Sequence, residues 1–135
     1  MKRRLLILLT IAFATMTAAA QNRIDSFVDN ESTLGRSKYT SVVERDPDSR
    51  EVTRVVKVRE LTKGVDINKC KEIFEAERTT GSFTHKVEDG ERHTMILAVK
   101  GEQRNRIYML QYTGRTPMQA CDGKVTIVIR MKTSK

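Results

Sequence analysis

The sequence predicts an α+β domain, a two-layer sandwich with two helices on one face of a mainly antiparallel sheet, in the order α-β-β-α-β-β-β-β. Three observations carry that expectation. Apolar residues recur at helical spacing in two stretches, about residues 23–33 and 67–81. The rest of the chain is filled by β-branched or alternating runs whose short connections make neighbouring strands antiparallel. The chain has 135 residues, room for one domain of ordinary size.

Residues 1–20 stand outside that domain. "MKRR" is a basic start and "LLILLTIAFATMT" is an apolar core of signal-peptide length. "AAA" before Gln21 puts small residues where a signal peptidase reads. Cleavage there leaves residues 21–135 as a single domain. No cysteine follows the apolar run before Cys70, so no lipid anchor is expected. The product is expected in the periplasm or secreted, soluble, with no transmembrane segment after cleavage.

The first helix is expected from Arg23 to Thr33. Ile24, Phe27 and Val28 form its buried stripe, and Gly35 ends it. A hairpin follows, Lys38–Arg45 with Arg50–Leu61, turned by "DPDS" around Pro47. Its second strand mixes Val56 and Val58 with Arg54, Lys57 and Arg59, so one of its faces is expected to be wet. Asp66 is the expected N-cap of the second helix. There Ile67, Cys70, Ile73 and Phe74 share one side, and Gly81 closes it.

The second hairpin turns at Asp89-Gly90. A three-residue loop pairs Glu88 with Arg92, Val87 with His93, His85 with Met95 and Phe83 with Leu97. That gathers the apolar residues on one face, whereas a two-residue loop scatters them. "NRIYMLQYT" is apolar on both sides and reads as a central strand. "KVTIVIRMKT" alternates cleanly and reads as half-buried. With no tryptophan and few aromatics, the core rests on Val, Ile, Leu and Met.

The chain carries 25 basic and 17 acidic residues, and the leader holds three of the basic ones and no acid. The remaining 22 basic residues against 17 acids leave a net charge of about +5. For an exported protein the matching partners are an anionic glycan, a membrane surface or an acidic protein, not nucleic acid. Alternation sends Arg54, Lys86, Arg92, Arg130 and Lys132 to the face away from the helices, a candidate anion-binding face. Glu88 and Glu60 sit among them.

Cys70 and Cys121 are the only cysteines. In an oxidising compartment they are expected to form a disulfide. The loop it closes, of about 50 residues, sets an upper figure of ~4 kcal/mol for its stabilisation. A catalytic thiol is the rival, but Cys70 lies on an inner stripe and no C-x-x-C is present. His85 and His93 share a face of the hairpin and are weak metal-ligand candidates with no third ligand nearby in sequence. No nucleophile, metal, phosphate or dinucleotide motif occurs, so no catalytic residue and no cofactor are expected.

"KRRLLILLTIAFATMTAAAQ", followed by "RIDSFV" and a basic β-hairpin, resembles the small exported proteins of Bacteroidetes-type gut bacteria that form families of unknown function. The resemblance implies a periplasmic or secreted α+β domain and transfers no functional residue. The expected function is that of a non-enzymatic, envelope-associated or ligand-binding protein acting through its basic sheet face. The alternative is a hydrolase or thiol enzyme whose site is assembled from distant residues.

Overall fold

The structure, a computed structural model, describes residues 23–29 and 37–132. Its elements are α1 (Arg23–Asp29), β1 (Tyr39–Arg45), β2 (Val52–Leu61), α2 (Gly64–Glu77), β3 (Ser82–Glu88), β4 (Arg92–Lys100), β5 (Arg104–Thr113) and β6 (Asp122–Met131). Short 3₁₀ turns at Arg78–Thr80 and Pro117–Gln119 complete the order, which is the α+β order expected. The leader and the end of the first helix as expected, from Asn30 to Thr33, lie outside the described residues.

The six strands form one antiparallel sheet in the order β1-β2-β6-β5-β4-β3. The chain makes the first hairpin, crosses the sheet through α2, and walks back as a meander until β6 pairs with β2. Strand β5, apolar on both sides, therefore ends up in the middle beside β6. The β3–β4 hairpin has the register that the three-residue loop demands, with Glu88 opposite Arg92 and Phe83 opposite Leu97. Asp89 and Gly90 take left-handed φ values of 56° and 71°, which suit Asp and Gly, and Glu91 N donates to Glu88 O at 3.1 Å.

Both helices pack on one face. Ile24, Phe27 and Val28 of α1 and Ile67, Cys70 and Phe74 of α2 are buried against Met95, Leu97, Tyr108, Leu110, Val125 and Ile127. A Cβ on Gly123 would stand 2.9 Å from the Ile67 side chain, so a glycine in β6 is what lets α2 approach the sheet this closely. Helix α2 starts at Gly64, earlier than expected. Lys63 takes the N-cap position with no side-chain hydrogen bond, and Asp66 lies in the first turn, where its charge complements the helix dipole.

Strand β2 divides its cations between the two faces of the sheet, with Arg54 on the open face as expected. Register puts Val55, Lys57, Arg59 and Leu61 on the helix side and Arg54, Val56, Val58 and Glu60 on the other. Arg59 is only 1% exposed. Its Nε donates to Val28 O at 2.9 Å, its Nη1 reaches Ser37 O at 3.2 Å, and its guanidinium lies 4.6 Å from the Tyr39 ring centre. Lys57 Nζ and Tyr39 Oη both reach Asp29, at 3.2 and 3.1 Å. Helix α1 has no basic residue in its last turn, and β2 brings Arg59 to the Val28 carbonyl and Lys57 to the Asp29 carboxylate there.

Candidate functional site

Among the described residues no helix packs on the second face of the sheet, and strand register fixes what it presents. Five rows run across it. Glu44, Arg54, Arg130, Asn105 and Lys100 form the first. Val42, Val56, Val128, Ile107, Ala98 and Ser82 form the second. Thr40, Val58, Thr126, Met109, Ile96 and Thr84 form the third. Glu60, Lys124, Gln111, Thr94 and Lys86 make the fourth, and Asp122, Thr113, Arg92 and Glu88 the fifth.

The middle of this face is apolar. Val42 and Ile107 are 49% and 42% exposed, and the other apolar side chains of the second and third rows are half-buried by their neighbours. An open antiparallel face ordinarily carries polar residues. The expected basic face is therefore divided. Arg54 and Arg130 are direct partners at one end, and Lys86 and Arg92 stand at the other. Lys132 lies just beyond β6, its N–H donating to Gln103 O at 2.9 Å.

Carboxylates interrupt each group. Arg54 pairs with Glu44 at 2.6 Å and Lys86 with Glu88 at 2.9 Å. The Lys86 ammonium holds the Glu88 carboxyl below its usual range, with a smaller contribution from Arg92. Exposed pairs of this kind add little to stability, but they flatten the positive field. At the Lys86–Arg92 end the fourth and fifth rows line a cleft of ≈ 620 Å³. Its wall mixes Glu60, Glu88 and Asp122 with Arg92 and Lys124 around Thr94, Thr113 and Gln111, which suits a polar group carrying both charges or neither.

His93 borders the cleft, but alternation turns its imidazole to the helix side. There it stacks on Tyr112 with ring centres 4.4 Å apart, and its Nδ1 faces His85 Nε2 at 3.1 Å. One ring donates and the other accepts, so the two facing nitrogens are spent on each other. Desolvation lowers the pKa of His93, and the nearby His85 and Lys71 lower it further. Among the described residues no group of three or more metal-ligating side chains gathers.

Cys70 and Cys121 are both free thiols in this structure. Cys70 follows the helix stripe into the core and is 1% exposed, and burial pushes its thiol pKa up. Cys121 is exposed ahead of β6. Burial and a raised pKa both work against nucleophilic chemistry at Cys70.

A polar cluster under α1 was not anticipated. Asp25 Oδ2 accepts hydrogen bonds from Arg106 Nη1 at 3.0 Å and from Tyr108 Oη at 3.1 Å. Desolvation raises the Asp25 pKa, opposed by Arg106 and by the Tyr108 hydrogen bond. Tyr108 is pushed up to about 12, chiefly by burial. The cluster fastens α1 to β5.

Comparison with protein-family models, with curated proteins and with solved structures gives no match. Among the described residues no helix is long and apolar enough to cross a membrane.

Proposed function

We propose that this chain is an exported, non-enzymatic interaction domain that docks an apolar protein surface against the open face of its sheet. The observation that carries the reading is the band of Val42, Val56, Val58, Val128, Ile107 and Ile96, turned away from both helices. The core on the other face has no need of these side chains. An apolar centre with a charged rim is the anatomy of a protein–protein interface. The divided, carboxylate-interrupted cations favour a protein partner over an anionic glycan or a membrane surface, either of which calls for a continuous positive field. Export rests on the basic start, the apolar core and the small residues before Gln21.

The test is a photo-reactive amino acid placed in the producing cell, either at Ile107 on the open face or at the exposed Lys69 on α2. Adducts formed from position 107 and not from position 69 support the reading. Equal adducts from both positions, or none from position 107, refute it.

A further inference from the structure

We infer that the partner on the open face is a second copy of this chain, packed sheet on sheet about a twofold axis that runs across the strands. The inference rests on reading this face as an interaction surface and goes on to name the occupant. Size is the first argument. Six strands about 4.8 Å apart, over about eight residues at ~3.4 Å each, present on the order of 800 Å². A stable interface needs about 800 Å² from each partner. The two apolar rows alone span about 400 Å², the range in which a patch on a monomer is often functional. A second sheet face of the same outline matches that area.

Charge is the second argument, and it selects the axis. A twofold across the strands lays each strand over its own copy and exchanges the first row with the fourth and the second with the third. The apolar rows then meet each other: Val56 faces the partner's Val58 and Ile107 the partner's Met109. At the rim Arg54 faces the partner's Glu60 and Asn105 the partner's Gln111. Lys38, which continues the fourth row beside Glu60 through the bond from Glu60 N to Lys38 O at 2.9 Å, faces the partner's Glu44. Arg130 meets the partner's Lys124, the one like-charge contact, with Asp122 one row farther out.

The other axis, along the strands, keeps each row opposite itself and reverses strand order. It sets Arg54 against the partner's Lys100 and Lys38 against the partner's Lys86, and it brings Glu60 to no cation. Complementary rims orient an association and suppress the wrong arrangement. They favour the crosswise twofold.

The experiment is sedimentation analysis of the protein in the form the cell makes it, over a range of concentration. The parent is expected to be a dimer. Ile107→Asp is expected to weaken association about tenfold or more while leaving a folded monomer. Glu60→Arg and Arg54→Glu are each expected to weaken self-association, since each sets like charges together. Mixed, the two variants are expected to pair with one another, because one rim contact of the mixed dimer is then the parent's Arg54–Glu60 pair and the other is the same pair with its charges exchanged. A parent that stays monomeric, a dimer indifferent to Ile107→Asp, or single variants that do not pair on mixing would each overturn the inference. A monomeric parent that still gives adducts of a different protein from position 107 removes the second copy and keeps the interaction surface. No adduct from that position removes both.

Discussion

Arg59 Nε donates to the carbonyl of Val28 at 2.9 Å across 31 residues of sequence, a strand guanidinium closing the end of a helix. Arg59→Leu leaves the Val28 and Ser37 carbonyls without this donor and frees the end of α1. The expected loss is about 2–4 kcal/mol in urea unfolding, with amide protection in α1 falling first. Arg59→Lys keeps the charge and loses the fork, so it is expected to recover less than half of that loss. Unfolding of Arg59→Leu at the parent's midpoint would show that the bond is incidental.

Arg106 and Asp25 make the second tie between α1 and the sheet. Arg106→Leu is expected to cost about 1–3 kcal/mol by leaving the carboxylate half-buried with only the Tyr108 hydroxyl bonded to it. The Asp25 pKa in the folded chain is already above its ordinary 3.8, so the folded state holds a proton that the unfolded chain releases. Its contribution to stability is full below 3.8 and falls as pH rises through the folded pKa. Losing Arg106 raises that pKa further and extends the loss to higher pH. An Asp25 carbonyl titration by NMR that is the same in variant and parent would contradict this.

The linkage at His93 has the opposite slope. Its folded pKa lies below 6.5, so as pH falls the unfolded chain binds the proton first and stability is lost from 6.5 downward to the folded value. Urea midpoints between about pH 8 and pH 5 are expected to fall on the acid side. His93→Phe keeps a ring against Tyr112 and is expected to flatten that fall. A variant with the parent's slope would assign the pH dependence to another group.

The cysteines predict a labelling pattern. A thiol reagent added to the folded protein is expected to modify Cys121 and to spare Cys70 until the chain unfolds. Labelling of neither residue before reduction would mean that the protein carries the Cys70–Cys121 bridge instead.

The fold was legible because its signals were local. The alternation in Thr126–Met131 gives that strand its two faces, and the one loop length that keeps Phe83, Val87, Met95 and Leu97 together gives the register of β3 on β4. Strand β2 was not legible, because both of its faces mix apolar residues with cations: Val55 and Leu61 with Lys57 and Arg59, Val56 and Val58 with Arg54. What decides between them is α1, whose carbonyls attract Arg59 from 31 residues away. The apolar band left a trace in β5, where Ile107 and Met109 oppose Tyr108, Leu110 and Tyr112. It becomes a surface only when β6 returns to pair with β2 and lines up one or two such residues from each of five strands. The same return sends Arg130 and Lys86, both correctly assigned to that face, to its opposite ends.

Methionine oxidation by dilute peroxide, located by peptide mass spectrometry, tests the open face most directly. Met118 is 55% exposed and reports full reaction, and Met95 is 0% exposed and reports none. Met109, half-buried in the third row of the open face, is expected to oxidise in dilute protein and to become protected as concentration rises and partners cover it. Oxidation of Met109 that is as slow as that of Met95 in dilute protein, or that does not change with concentration, would contradict an open face used for association.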